Sequence, residues 1–237
     1  FLNTSDPLYQ DAEILLSSEL REPNVYFNII RAILEGATKL GEIANSARVD
    51  VTNMPKYLNT LVKLRIVDKT RPLTSPKEKR SLYELTDNYF RFWLTYVYPY
   101  MEEIAVVPEQ HLEFIKETYP GYMGPVFEKF CINAMKVIRP IQFNSIGRWW
   151  YKGQEIDIVA TNDKTKDIMF CECKWQDNVN PRKIYEELKK KAETVQWGSE
   201  NRKEHYAVFA RSFDKRIKED NVFLYNLEDI KAEMKWN

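Results

Sequence analysis

The sequence predicts an α+β protein in two parts, a helical region closed by a β-hairpin and then a domain built around a central mixed sheet. Three observations carry that expectation. Apolar residues between Val25 and Leu64 recur at helical spacing in three short runs. From Gln142 to Trp175 the pattern changes to β-rich runs separated by turn residues, followed by a helical run and two more short β-rich runs. At 237 residues and 44% apolar content, the chain can fill two hydrophobic cores.

The N-terminal elements follow in order. Val25 to Glu35 is expected as a helix with Val25, Ile29, Ala32 and Ile33 on one face, ended by Gly36. Leu40 to Ala47 makes a short second helix. Thr52 or Asn53 caps a third, which runs to Leu64 with Leu58, Leu61 and Val62 inward. Ile66-Val67 opens a strand, Asp68 to Lys79 forms a polar loop containing proline, and Arg80 to Leu85 returns. Three helices and a hairpin look like a winged helix-turn-helix. That resemblance implies a third helix entering a DNA major groove, with Asn53, Lys56, Asn59, Thr60 and Lys63 exposed, and a 70–80 loop acting as a wing on phosphates.

Charge is a separate observation. The 35 basic and 35 acidic residues cancel, so net charge says nothing about partners. Between Met54 and Leu82, however, Lys56, Lys63, Arg65, Lys69, Arg71, Lys77, Lys79 and Arg80 stand against Asp68 and Glu78 only. Such a local excess is an electrostatic footprint for nucleic acid or a plain solvated face. Many winged helices bind protein instead of DNA.

Asp87 caps the next helix, whose Phe90, Trp93, Leu94 and Val97 pack inward. At helical spacing these aromatics read as core and not as a base-stacking platform. This element joins the two domains, expected as residues 1–105 and 106–237. Gly124 to Ile138 reads as an amphipathic helix with Val126, Phe127, Phe130, Cys131, Ala134 and Val137 or Ile138 on one side. A strand from Gln142 to Tyr151, a turn at Lys152-Gly153, the strand carrying Asp157, a turn at Asn162-Asp163-Lys164 and the strand carrying Glu172 follow. Pro181 opens a helix running to about Trp197 with Gly198 as a stop. His205 to Arg211 and Val222 to Asn226 are short strands, and Leu227 to Trp236 closes the chain as a helix.

The chemistry-bearing segments are Gly153-Gln-Glu-Ile-Asp157 and Glu172-Cys-Lys174. Residues two apart on a strand share a face, so Glu172 and Lys174 project together while Cys171, Cys173 and Trp175 face the other way. If the two runs pair as a hairpin, Asp157 joins them. Two carboxylates and an ammonium at one sheet edge suit a hard divalent cation and an attacking water. A same-face ion pair on a surface hairpin is the plainer alternative, but the run Ile168-Met-Phe-Cys is apolar enough for a strand buried on both faces.

This pattern resembles the PD-(D/E)xK nuclease motif. The resemblance implies a restriction-endonuclease-like α/β domain with element order α-β-β-β-α-β-α. It also implies Mg²⁺ or Mn²⁺ on Asp157 and Glu172, water positioned by Lys174, and a further carboxylate from the preceding helix, the place occupied by Glu128.

Three cysteines form no disulfide framework, and Cys171 and Cys173 lack a second ligand pair for zinc. They are expected as buried small hydrophobes in a reducing, cytoplasmic setting. No apolar run approaches the roughly 18 residues of a membrane span, and Phe1-Leu-Asn-Thr-Ser does not read as a signal peptide. A first residue other than Met points to an excised fragment.

Nearly the whole chain resembles the C-terminal region of the archaeal AAA-type ATPase family. The segments that carry this are Ser5-Asp-Pro-Leu-Tyr, Glu19-Leu-Arg-Glu-Pro-Asn-Val-Tyr-Phe, Leu40-Gly-Glu-Ile-Ala, Tyr83-Glu-Leu-Thr-Asp-Asn-Tyr-Phe-Arg-Phe-Trp, Gly124-Pro-Val-Phe-Glu, Gly153-Gln-Glu-Ile-Asp and Glu172-Cys-Lys-Trp. No Gly-x-x-x-x-Gly-Lys-Ser/Thr occurs, so there is no ATP site in this chain and the ATPase module is expected upstream. The expected partners are DNA, that module and, as an open alternative, a second copy of the chain, with no membrane. The activity implied is DNA phosphodiester cleavage. The competing class is an inactive DNA-binding or protein-interaction module that regulates the ATPase.

Overall fold

An aspartate followed by a proline starts the first helix. In the computed structural model, which describes residues 2–74 and 81–235, Asp6 accepts a hydrogen bond from the Leu8 backbone N–H at 2.9 Å and Pro7 opens α1 (Pro7–Glu19). Proline fits there because a first-turn N–H has no intrahelical acceptor to lose. Tyr9, Ala12 and Leu16 are buried along α1. The sequence reading assigned no helix to this stretch.

α2 (Pro23–Leu34), α3 (Leu40–Ala47) and α4 (Met54–Lys63) come next, followed by the antiparallel pair β1 (Val67–Thr70) and β2 (Leu82–Leu85) in register Val67↔Leu85. The expected order of three helices and a hairpin is therefore present, preceded by α1. α5 (Asn88–Tyr96) is capped by Asp87, whose carboxylate accepts from Tyr89 N–H at 2.8 Å and Phe90 N–H at 3.0 Å. Phe90, Trp93, Leu94 and Val97 are all buried, as their spacing requires. The fully buried Trp93 indole N–H donates to Tyr9 O at 2.8 Å, so α5 is tied to α1 by the one polar atom of its largest core residue. A 3-10 turn at Tyr98–Tyr100 and a short α6 (Met101–Val106) lead into the long α7 (Pro108–Ile138).

The described residues divide into two compact units, one of residues up to 70 with 81–118 and the other of 71–74 with 119–235. The sequence placed the change of domain near residue 105, whereas the units divide within α7. Pro120 and Pro125 lie inside that helix. Each lacks the N–H of a regular helical turn, so the ladder is interrupted just beyond Thr118.

The second unit is a five-stranded mixed sheet with helices on both faces. Its strands are β3 (Ser145–Tyr151), β4 (Gln154–Asn162), β5 (Asp167–Lys174), β6 (Lys203–Ala210) and β7 (Val222–Tyr225), in sequential order across the sheet. β3-β4-β5 is an antiparallel meander, and β5-β6-β7 is parallel. A parallel step requires a crossover, which α8 (Pro181–Ala192) supplies.

Phe127, Cys131, Ala134 and Met135 of α7 pack with Ile158, Met169, Cys171 and Phe209 on one face, together with Ile230 of α9 (Leu227–Glu233). Tyr185, Leu188 and Ala192 of α8 pack with Val159, Ile168, Phe170 and Tyr206 on the other. β5 is thus buried on both faces, as its apolar run indicated. α8 ends at Ala192, earlier than the sequence suggested. The Arg202 guanidinium donates to Ala192 O at 2.9 Å, Trp197 O at 3.1 Å and Val195 O, satisfying the carbonyls at the close of the helix and in the turn beyond it.

Phe170 is fully buried in the middle of β5. Phe170→Ala is expected to destabilise the second unit by roughly 3–5 kcal/mol, the range for a phenyl ring removed from a core. The shift in its urea unfolding transition measures this. A loss below about 1 kcal/mol would mean that β5 is not the packed centre of the sheet.

Candidate active site

Where β3 and β4 pair, Gly147 opposes Val159 and Trp149 opposes Ile156, so Arg148 alone faces both Asp157 and Ile158. This is a β-bulge, which inserts one residue and re-aims the side chains around it. Its effect shows in the packing. Ile158 joins the core under α7, whereas Val159 and Ile156 both belong to the core under α8. Asp157 sits in the bulge.

The β4-β5 ladder runs from Asn162↔Asp167 to Ile158↔Cys171, and the next couple in that register is Asp157 and Glu172. At this step a side chain takes over from backbone pairing. The Cys173 N–H donates to Asp157 Oδ2 at 2.8 Å, which holds the carboxylate beside β5. Asp157 and Glu172 are only 6% and 7% exposed, an unusual burial for two acids that demands compensation.

The compensation comes from two lysines. Lys174 Nζ donates to Glu172 Oε1 at 2.8 Å. Lys191 reaches from α8 to Glu172 Oε2 at 3.0 Å and Oε1 at 3.2 Å. Cys171 and Cys173 lie in the opposite core, so the alternation expected for β5 holds.

The electrostatics follow from this crowding. Burial, and then the nearby charge of Glu172, push Asp157 up to about 6; the Cys173 N–H, Lys174 and Lys191 oppose that rise. Burial alone would lower Lys174, but its hydrogen bond to Glu172 and the charges of Glu172 and Asp157 outweigh it, and its pKa is raised. Lys174 therefore stays an ammonium at neutral pH. It can donate hydrogen bonds and stabilise negative charge, and it is poorly suited to removing a proton. Cys171 and Cys173 are pushed up chiefly by burial, which makes both thiols unreactive.

Glu128, on α7, stands in a different ion pair. Its carboxylate is 3.7 Å from Arg148 Nη2, which is also 3.7 Å from Glu155. Among the described residues, no group of three or more His, Cys, Asp or Glu side chains is arranged to hold a metal ion. The structure thus brings together Asp157, Glu172 and Lys174 from the sequence-derived set. Lys191 was missed by sequence reasoning. Its signal was a lysine three residues beyond Leu188, on the stripe that Tyr185, Leu188 and Ala192 bury.

In the first unit, Asn53, Lys56, Asn59 and Lys63 are exposed along α4, Thr60 is half-buried, and Met54, Leu58 and Leu61 are buried opposite. The Thr60 hydroxyl donates to Lys56 O at 3.2 Å, as mid-helix threonines commonly do. Arg71, which belongs to the second unit, is exposed, whereas Lys77, Lys79 and Arg80 fall outside the described residues.

Residues 93–191 match the DUF234 family, described as archaeal and bacterial proteins of unknown function. The chain is 33% identical over 233 residues to an uncharacterized protein of Methanocaldococcus jannaschii, an alignment covering 94% of this chain and 52% of that protein. It therefore spans about half the length of the curated relative it matches. Among solved structures it is similar, with a TM-score of 0.28 and 14% identity, to one reporting how 6-hydroxynicotinic acid regulates DNA binding by Bordetella bronchiseptica BpsR, over 41% of this chain and 71% of that one. Lactococcus lactis ZitR in complex with DNA gives a TM-score of 0.26 and 15% identity, over 57% of this chain and 98% of that one. Likeness at this level carries no argument about fold or function.

The raised Asp157 predicts a pH dependence with a definite sign. Its folded-state pKa of about 6 lies above its ordinary value, so the folded protein binds the extra proton between about pH 4 and pH 6. The stability this contributes is fully present below that window and is lost as pH rises through it, with a slope of at most about 1.4 kcal/mol per pH unit. Asp157→Asn, whose Oδ1 still accepts from the Cys173 N–H, should gain stability relative to wild type between pH 4.5 and pH 7. Urea unfolding at both pH values measures the difference, and a gain equal at the two would contradict the assignment.

Proposed function

We propose that the second unit is a metal-dependent nuclease domain of the PD-(D/E)xK type that cleaves DNA, and that the first unit is a winged helix that holds the duplex. The observation that carries this reading is the convergence of Asp157, Glu172 and Lys174 at the step where backbone pairing between β4 and β5 stops. The antiparallel meander β3-β4-β5 and the crossover helix after β5 support it, since both stand where the implied order α-β-β-β-α-β-α has them, although the second unit carries one strand more, β7, before its last helix.

The residues fit a hard divalent cation. Burial first, and then the charge of Glu172, raise Asp157, and a shared cation would offset both effects. Asp157 and Glu172 would hold Mg²⁺ or Mn²⁺, with Glu128 as a third carboxylate if it exchanges Arg148 for the metal. When bound, the ion supplies a water of lowered pKa and neutralises charge on the scissile phosphate. The Cys173 N–H fixes the orientation of the Asp157 carboxyl throughout. Lys174, held as an ammonium by Glu172, orients the water or steadies charge on the phosphate.

In the first unit the exposed Asn53, Lys56, Asn59 and Lys63 form the face that a third helix would present to a major groove. Lys56 and Lys63 supply phosphate contacts. The relative from M. jannaschii is about twice as long as this chain, which leaves room in that protein for the upstream ATPase module. A cytoplasmic location belongs to the same proposal. No helix among the described residues is long and apolar enough to cross a membrane.

A second reading, an inactive DNA-binding or interaction module, is favoured by one observation. Both oxygens of Glu172 already carry ammonium groups.

Cleavage of single-stranded, duplex and branched DNA with Mg²⁺ or Mn²⁺ separates the two. The nuclease reading expects activity in the wild type, with a drop of at least about a hundredfold in Asp157→Ala and in Lys174→Ala, the scale of losing charge stabilisation in an active site. Equal cleavage by all three proteins would sink it, and no cleavage by the wild type would favour the second reading.

Duplex binding tests the first unit. Lys56→Glu with Lys63→Glu should weaken affinity for every sequence and flatten its salt dependence, since each phosphate contact contributes about 0.9 to the slope of log K against log salt. Should both changes leave affinity and slope untouched, α4 does not face DNA.

A further inference from the structure

Lys191 is the charged group at the carboxylate site that neither the sequence motif nor the proposed chemistry uses. It projects from α8, the crossover helix, where Leu188 and Ala192 beside it are buried, and its side chain is 28% exposed. Its Nζ lies 3.0 Å from Glu172 Oε2 and 3.2 Å from Oε1, nearly equidistant from the two oxygens. That is the bisector of the carboxylate, the position a bidentate cation takes. A divalent ion bound there would sit at about 2.0–2.6 Å from the same oxygens. Two cations cannot share that volume, and at a site this dry their repulsion is weakly screened. Lys174 differs. It approaches Oε1 alone at 2.8 Å, leaving the bisector clear.

We propose that Lys191 is an internal counter-ion that latches the site. Its ammonium occupies the cation position on Glu172, and a divalent metal binds only as that ammonium leaves. The inference rests on the reading of Asp157 and Glu172 as a metal site and adds a regulatory step to it. Latched, the two acids and two lysines balance, so the carboxylates are compensated without metal. Released, the Lys191 ammonium, whose side chain is partly exposed, swings away on its four-carbon stem, and an incoming phosphate provides it with a new partner. Metal loading and substrate binding are then linked, because a phosphate that draws off Lys191 removes the competitor for Glu172. The site takes up its metal best when DNA is present.

Direct Mn²⁺ binding to the full chain, measured by calorimetry and by the electron paramagnetic resonance of free Mn²⁺, tests this without any cleavage assay. Lys191→Met should bind Mn²⁺ at least about tenfold more tightly than wild type, the effect of removing one unit charge a few ångström from the ion. Lys191→Arg, which keeps the charge, should not gain affinity. Lys189→Met controls for the general field of the helix, because Lys189 lies two residues away and is paired with Glu186 at 3.4 Å. It should leave Mn²⁺ affinity unchanged.

Tight binding by Lys191→Met with weak or no binding by the wild type supports the latch. Equal binding by wild type and Lys191→Met, or an equal gain in Lys189→Met, overturns the latch while leaving the metal site standing. Absence of binding in every variant at millimolar Mn²⁺ overturns the metal site and the latch with it. Circular dichroism establishes that each variant is folded, and Lys191→Gln serves in place of Lys191→Met if the latter is not.

Discussion

The hydrogen bond from the Cys173 backbone to the Asp157 carboxylate is the constraint on which the second unit's buried charge cluster depends. β5 is buried on both faces, so a backbone N–H near its end must find an acceptor within the protein. Beyond Ile158↔Cys171 the β4-β5 ladder gives way, and a side-chain oxygen accepts that bond instead. An acid is thereby held in an apolar setting by a backbone group. The bulge opposite Arg148 makes this geometry available, because the additional β4 residue breaks strict alternation at Asp157.

Placing one carboxylate there forces the rest of the arrangement. Glu172 is the neighbouring acid and is nearly as buried, so the pair would be strongly unfavourable without cations close by. Lys174 and Lys191 supply them from two directions, one from the same strand and one from the helix that crosses back over the sheet. Removing either partner of such a group leaves a buried charge uncompensated, while the assembled set contributes little net stability.

The interior of the first unit is, by contrast, mainly apolar and aromatic. Trp93, Phe90 and Leu94 of α5 pack with Tyr9 and Leu16 of α1 and Ile29 and Ile30 of α2, and this leaves one face of α4 to solvent. That the exposed face carries lysine and asparagine while Met54, Leu58 and Leu61 point inward follows from helical periodicity alone. The fully buried His111 is a departure from this economy. Its Nε2 lies 2.5 Å from Tyr96 O, and its Nδ1, 3.9 Å from Glu103 Oε1, has no hydrogen-bond partner among the described residues.

Periodicity and turn chemistry determined much of this protein by themselves. The helices at Pro23–Leu34, Leu40–Ala47, Met54–Lys63 and Asn88–Tyr96 and all five strands of the larger sheet were legible, because each depends on neighbours within a few residues. So was the shared face of Glu172 and Lys174, which strand geometry fixes. α1 was legible in principle from Asp6-Pro7 and the Tyr9, Ala12, Leu16 stripe. The continuity of α7 was not legible. Pro120, Gly121, Gly124 and Pro125 are all breaking signals, yet α7 runs through them. The bulge at Asp157, the salt bridge of Glu128 with Arg148 and the reach of Lys191 to Glu172 were also decided by the tertiary structure. Each joins residues nineteen or more apart, or depends on a strand partner, and no local pattern records which distant side chain will share a buried charge.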